Sequence, residues 1–305
     1  MTELRLRSMT WEAPGVVSLE LVPPAGGALP PFTPGAHLDI RLPDGGERQY
    51  SLCGDPADHS RYRVAVREIE GGRVSRAVHR LRPGALLQVG EPRNNFPLEP
   101  AARYLFIAGG IGITPLLPMM RAATAPWTLL FCVRGAENAP FLTETRALGG
   151  EVIMHDSMAQ TRLDAAAHLV EVQPGTLVYC CGPQGLMEAV EAATAHWPAG
   201  SVRFEWFAAR TQEFAAAGAF ELVAAASGLT LSVPPDKTIL AVLTEAGIEV
   251  ARSCEQGVCG TCECRILEGE ADHRDSILSA AERAENSVLM TCVSRAAGPR
   301  LVLDI

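Results

Sequence analysis

The sequence predicts a multi-domain chain: an antiparallel β-barrel over residues 1–100 and an α/β doubly wound domain over 101–208. A linker over 209–218 and a small C-terminal β-grasp domain over 219–305 complete it. Three observations carry this division. Short β-branched or alternating runs, broken by Pro/Gly pairs, fill the first hundred residues. After Pro100 strands and helices alternate, the pattern of a parallel sheet with helices on its faces. The last block holds three cysteines at C-x4-C-x2-C spacing, with a fourth well downstream.

In the first block, Val16–Leu21, His37–Arg41 and Arg61–Val66 read as strands, and Arg48–Leu52 closes a further one. Pro34-Gly35, Asp44-Gly45-Gly46 and Pro83-Gly84 separate these runs at barrel-like intervals. A short helix is expected from Ser75 to Leu81. The second block opens on the buried strand Tyr104–Ala108. A glycine-rich turn, Gly109-Gly110-Ile111-Gly112-Ile113-Thr114-Pro115, and an apolar helix to Arg121 follow. Strands at 127–133, 151–155, 177–181 and 202–206 then alternate with helices at 141–148, 164–170 and 183–196. Ala215-Ala216-Ala217-Gly218 marks the linker. The third block reads as a hairpin (219–224, 229–233), a helix (238–246), the cysteine loop, and strands at 263–267, 288–292 and 301–305. A helix laid across a small mixed sheet is the β-grasp arrangement.

Composition narrows the function classes. The 305 residues carry a net charge of −9, with most of the acidic excess after residue 218, which argues against nucleic acid and anionic membranes as partners. An acidic C-terminal block suits a basic docking face on another protein. The first residues lack the apolar core of a signal peptide, and no run approaches 18 apolar residues, so a cytoplasmic protein is expected. Nine cysteines in such a chain are more readily ligands or buried thiols than disulfides. None of the seven histidines pairs with a cysteine as a Rieske centre requires, and neither H-E-x-x-H nor G-x-S-x-G occurs.

Cys254, Cys259, Cys262 and Cys292 are the candidate metal ligands. Their spacing is that of a plant-type 2Fe-2S cluster held by four thiolates. Two ligands three residues apart, Cys259 and Cys262, can share one iron, and Gly257 and Gly260 let backbone N–H groups turn toward the sulfurs. A four-cysteine zinc site is the rival, but such sites come as two short-spaced pairs, and Cys254 and Cys292 make no second pair.

Arg48-Gln49-Tyr50-Ser51 resembles the R-x-Y-S flavin signature of the ferredoxin–NADP reductase superfamily. Arginine suits a phosphate, tyrosine a flat ring, and a small hydroxyl the flavin N5 edge. The resemblance implies a flavin-binding barrel in which Arg48, Tyr50 and Ser51 contact the cofactor. Gly72, Arg73 and Ser75, at the start of the one helix, would hold the phosphate. This chain departs there from the usual G-G-S, and Ser75 as a plain helix N-cap is the alternative. Pro92-Arg93-Asn94-Asn95-Phe96-Pro97-Leu98 matches the connector of phthalate and vanillate oxygenase reductases. Nothing here resembles the extra loop of FAD-binding relatives, which favours FMN.

Ala108-Gly109-Gly110-Ile111-Gly112-Ile113-Thr114-Pro115 and Cys181-Gly182-Pro183 resemble the paired nicotinamide motifs of the same superfamily. The glycines would allow a pyrophosphate close to the backbone, and Gly110, Gly112, Thr114, Cys181 and Gly182 would line the dinucleotide. Asp156 at a strand end would take a ribose hydroxyl and favour NADH, although Arg134 argues the other way. Phe207 would stack over the flavin; Ser51 and Phe207 are the residues expected to set the hydride-transfer rate.

The resemblance covers nearly the whole chain, in the order flavin, nucleotide, cluster. It implies the reductase component of a Rieske-type aromatic oxygenase or O-demethylase, passing electrons from NADH through FMN to the 2Fe-2S cluster and on to a separate oxygenase. The alternatives are a reductase of a haem or other monooxygenase and, outside enzymes, a zinc-stabilised binding module.

Overall fold

The computed structural model describes residues 1–42, 46–209 and 218–305. By contact density the chain divides into two units, Met1–Glu205 and Trp206–Ile305. Most of the expected linker, residues 210–217, lies outside the described residues.

The first unit begins with six strands: β1 (Thr2–Ala13), β2 (Val16–Val22), β3 (His37–Arg41), β4 (Glu47–Ser51), β5 (Tyr62–Arg67) and β6 (Leu86–Val89). They form one antiparallel sheet in the order β4-β3-β6-β1-β2-β5. A bridge between Leu52 and Val64 and a Cys53 N–H bond to the Arg63 carbonyl (2.8 Å) bring its two edges together. The sheet therefore closes as a barrel, which removes the open edges a flat sheet would expose. Leu4, Leu6, Leu19, Leu21, Leu38 and Ile40 fill it, each at most 1% exposed. β1 and β6 were not expected. Leu4 and Leu6 alternate as a strand should, but Arg7-Ser8-Met9-Thr10 interrupts the pattern, and a register shift between Leu6 and Ser8 marks that point.

Helix α1 runs Arg73–His79, two residues earlier than expected, with Gly72 at its N-cap. Ser75 is not the cap. Its hydroxyl accepts the Ile69 N–H (3.1 Å) and donates to the Gly72 carbonyl (3.2 Å), closing the loop that leads into the helix.

Five parallel strands follow: β7 (Arg103–Gly109), β8 (Trp127–Val133), β9 (Glu151–Asp156), β10 (Thr176–Cys181) and β11 (Val202–Glu205), in the order β11-β10-β7-β8-β9. Helices α2 (Leu116–Ala122), α3 (Leu142–Arg146), α4 (Ala165–Leu169) and α5 (Gln184–Ala193) connect them. The order reverses between β7 and β10, so their carboxyl ends border the crevice where doubly wound sheets bind ligands. A shared core joins this sheet to the barrel: Cys53 and Ala65 pack in one cluster with Phe96, Phe106 and Tyr179. Arg63 on β5 adds a charged tie, donating to Glu12 (2.9 Å) and to Glu144 on α3 (2.8 Å), its guanidinium 4.7 Å from the Phe141 ring centre.

In the second unit β12 (Phe220–Ala224) and β13 (Leu229–Val233) form the expected hairpin. Helix α6 (Ile239–Glu245) follows, its N-terminus capped by the Thr238 hydroxyl. Next come β14 (Glu263–Glu268), β15 (Ala271–Asp272), the unexpected helix α7 (Ala280–Glu285), β16 (Val288–Met290), β17 (Arg295–Ala296) and β18 (Arg300–Leu303). The sheet order β13-β12-β18-β14-β16, with β12 parallel to β18, is a β-grasp sheet. Ile239, Leu243, Leu222 and Leu301 form its core, all fully buried. Among the described residues no helix is long and apolar enough to cross a membrane.

Candidate functional site

Two separate constellations carry chemistry, one in each unit. In the first unit Arg48, Tyr50 and Ser51 lie along β4. Arg48 is exposed, the Tyr50 ring is half-buried against the barrel core, and Ser51 is 6% exposed. Burial pushes the Tyr50 phenol up to about 12, against a smaller lowering by Arg48, so it is a neutral ring at physiological pH. The Ser51 hydroxyl donates to the Glu205 carboxylate at 3.1 Å, across 154 residues of sequence.

Glu205 is the residue beside the predicted site that the sequence did not single out. It ends β11 directly beside Cys181 of β10, its register partner. Desolvation pushes its carboxyl up to about 8, only partly offset by the Ser51 hydroxyl. An acid poised near neutrality beside a hydroxyl can hold or release a proton at working pH. The signal was present, because Arg203-Phe204-Glu205-Trp206-Phe207 sets an acid between aromatics at a strand end. Phe207 closes that stretch. That ring is 44% exposed, just past the start of the second unit.

The structure brings the nucleotide motifs together at the ends of β7 and β10. A Cβ on Gly112 would sit 2.2 Å from the Cys181 carbonyl, and one on Gly182 would be 2.9 Å from the Gly109 backbone. These glycines are thus explained first by two loops packing on each other. Gly110 differs: its φ is +53° and a Cβ there would meet nothing within 4 Å, leaving its backbone open to a ligand. Residues 110–113 form a 3-10 turn rather than the start of a long helix. Thr114 is 2% exposed and donates to the Ile111 carbonyl (3.0 Å). Cys181 is fully buried, and burial holds its thiol neutral, well above the ordinary range.

Gly72 and Ser75 shape the turn into α1 as described, and Arg73 opens that helix. Asp156, at the end of β9, is not an idle surface acid. One carboxylate oxygen accepts the Gly135 N–H (2.8 Å) and the Met158 N–H (2.9 Å), bonds that keep it ionised below the usual range. It clamps the loops after β8 and β9.

In the second unit Cys259, Cys262 and Cys292 are at most 4% exposed and Cys254 is half-buried. Their pairing corrects the sequence expectation. The Cys254 side chain hydrogen-bonds that of Cys259, and Cys262 bonds Cys292, so the thiols three residues apart fall in different pairs. In each pair one thiol is drawn toward thiolate by the hydrogen bond from its partner, Cys259 by Cys254 and Cys262 by Cys292. Left-handed backbone at Glu255, Gly257 and Gly260 turns the loop around the sulfurs. The Gln256 N–H points at the Cys254 sulfur (3.3 Å), and the Gly257 N–H bonds Cys292. Val293 would collide with a Cβ on Gly257 at 2.6 Å, and Leu240, Leu278 and Met290 pack around Cys262 and Cys292.

This donor set fits a two-iron cluster. Four soft sulfurs come as two pairs, one per metal, with N–H groups to stabilise the bridging and ligating sulfurs.

A closed flavin-type barrel, a doubly wound nucleotide sheet and a paired-thiol β-grasp domain define an iron–sulfur oxidoreductase. The 2Fe-2S iron-sulfur cluster binding domain matches residues 223–297. Over its whole length the chain is 42% identical to the phthalate 4,5-dioxygenase reductase subunit of Pseudomonas putida, covering 97% of that protein. It is 44% identical to the tert-butanol monooxygenase / tert-amyl alcohol desaturase reductase subunit of Aquincola tertiaricarbonis, over 99% of this chain and 95% of the relative. The crystal structure of phthalate dioxygenase reductase superposes with a TM-score of 0.70 at 36% identity, covering 99% of this chain and 97% of that one. An intact type IV self-sufficient cytochrome P450 superposes with a TM-score of 0.91 at 37% identity; there the chain spans 41% of the longer protein. The chain belongs to the family of phthalate dioxygenase reductase and the vanillate O-demethylase oxidoreductases.

Proposed function

We propose that this protein is the reductase component of a Rieske-type aromatic oxygenase or O-demethylase, taking electrons from NADH through FMN to a 2Fe-2S cluster and then to a separate oxygenase in the cytoplasm. The observation that carries it is one chain holding all three stations in order: Tyr50 and Ser51 on the barrel, the open Gly110 backbone on the sheet, and the two thiol pairs. The division proposed is 1–100 for FMN, 101–208 for NADH, 209–218 as linker and 219–305 for the cluster.

When bound, the flavin converts a two-electron hydride donor into single-electron deliveries. The chain's own residues orient it and manage protons. Arg48, with Gly72, Arg73 and Ser75 at the start of α1, takes the phosphate, and Tyr50 covers one ring face. Ser51 presents its hydroxyl to the flavin edge, and Glu205 holds a proton at its carboxyl oxygen behind it. Gly110, Gly112, Thr114, Cys181 and Gly182 frame the nicotinamide arm, and Asp156, beyond its clamping role, borders the ribose.

The purified protein should contain iron and extractable FMN in equal numbers of cluster and flavin. Replacing Cys292→Ser should abolish NADH-driven reduction of cytochrome c and leave flavin reduction by NADH intact. Zinc without iron, or FAD in place of FMN, would overturn the reading. The superposition on a self-sufficient P450 favours a second acceptor class, a haem monooxygenase. Turnover reconstituted with a Rieske oxygenase and, separately, with a P450 domain distinguishes the two.

A further inference from the structure

His37 is the residue this reading leaves unused. It lies in β3, is 6% exposed, and its Nε2 has no hydrogen-bond partner. A buried polar atom with nothing to bond costs stability and requires an explanation. Two neighbours on the sheet supply one.

The first is Ser51. His37 stands opposite Ser51 in the β3–β4 register, and the Leu52 N–H bonds the Ala36 carbonyl at 2.8 Å. That bond flanks the pair, which makes His37 and Ser51 a non-hydrogen-bonded pair, the kind whose side chains approach most closely and share one face. Ser51 already donates to Glu205 at 3.1 Å. The second is Arg93. His37 and Arg93 exchange both backbone hydrogen bonds, at 2.8 and 2.9 Å. The Arg93 guanidinium pairs with Asp39 at 2.7 Å, and its side chain is 36% exposed. Asp39 follows His37 by two residues on the same face of β3. By register Ser51, His37 and Asp39 fall on one face, with Glu205 bonded to Ser51 at one end and the part-exposed Arg93 paired with Asp39 at the other.

We propose that His37 is a positioning and proton-relay residue that links the Ser51–Glu205 pair, by way of the buried Asp39, to the surface at Arg93. The idea rests on the flavin function proposed above. The balance demands such a path. A hydride brings one proton and two electrons to the flavin edge; both electrons leave for the cluster, so one proton per NADH must leave through the protein. Glu205 accepts it by way of the Ser51 hydroxyl, and the imidazole takes it at one ring nitrogen and releases it at the other. Two charged groups act on the ring, the part-exposed Arg93 and the buried Asp39. Burial and Arg93 lower its pKa to about 4, against a smaller opposing effect of Asp39. The imidazole is therefore neutral at rest, with one nitrogen ready to accept and the other to donate.

The test follows the Glu205 proton with no electron acceptor present. Full-length holoprotein at pH 6 is mixed rapidly into D2O, and infrared absorption follows exchange at the protonated Glu205 carboxyl, its band assigned by its loss in Glu205→Gln. In His37→Leu, exchange should slow about 100-fold, the lower end for loss of a positioned proton-transfer group. His37→Gln keeps size and polarity but takes up no proton, and it should also slow exchange, which keeps the test decisive if the leucine variant fails to fold. Wild-type exchange in either folded variant overturns the relay. Flavin content and NADH reduction are measured on the same samples. Loss of flavin in the wild type would sink the functional reading, whereas normal reduction with unchanged exchange would sink only the role of His37.

Discussion

Replacing Glu205→Gln should remove a pH-dependent loss of stability. In the unfolded chain this glutamate titrates at 4.5, and in the fold burial raises it to about 8. Between those values the unfolded chain has released the proton while the fold still holds it. Unfolding is therefore favoured by rising pH across this window, and the penalty is absent below 4.5. Moving the pKa that far corresponds to at most about 5 kcal/mol, since each pKa unit is about 1.4 kcal/mol. The residue keeps some surface, so about 2–3 kcal/mol is the expected figure. Glutamine keeps an oxygen to accept the Ser51 hydroxyl and has nothing to ionise. Urea unfolding of the full-length holoprotein, wild type against Glu205→Gln, should give matching stabilities near pH 4.5 and a growing advantage for glutamine up to pH 8.5. A difference that does not change with pH would show that Glu205 ionises normally, and its role as a proton holder would fall with it.

Three further outcomes follow from the geometry. Gly112→Ala places a Cβ 2.2 Å from a backbone carbonyl and should lower the melting temperature severely, whereas Gly110→Ala, with open space but positive φ, should cost about 1 kcal/mol and chiefly raise the KM for NADH. Arg63→Met removes the guanidinium that Glu12 and Glu144 share but leaves Glu144 its Arg121 partner and Glu12 the Ser18 hydroxyl, so it should destabilise the first unit by only about 1 kcal/mol in thermal unfolding. Ser279→Ala deletes the capping box that closes α7 with Glu282 and should cost about 1 kcal/mol, read by the same unfolding assay.

Most of the architecture was legible because hydrophobic period and punctuation agree along the chain. The strand at 127–133 and the hairpin strand at 229–233 fall where their residues predict; Trp127–Val133 is a largely apolar run, buried at all but Thr128 and Cys132, between helical connections. What escaped was set by distant partners. β1 is a twelve-residue strand whose middle is polar, because two neighbouring strands, β2 and β6, hold it in place. Helix α7 did announce itself: Ser279 and Glu282 stand at capping-box spacing, a local signal passed over beside the cysteine loop. In the site, residue types were readable but partnerships were not. Spacing suggested that Cys259 and Cys262 pair; only the folded loop shows each bonded to a cysteine further away in sequence. Glu205 and His37 drew no attention because each gains meaning from a strand neighbour, Ser51, that neither adjoins in sequence.

The thiol pairing also orders the assembly of the cluster domain. Cys254 and Cys259 belong to one loop and can meet as soon as that loop turns. Cys262 meets Cys292 only after the chain has run through β14, β15, α7 and β16, with Thr291 bonding back to the Cys262 carbonyl. One half of the metal site is local and the other depends on long-range closure. A chain ending before residue 292 holds three of the four sulfurs but lacks the partner of Cys262, so a complete four-sulfur centre requires that β14, β15, α7 and β16 have already been laid down.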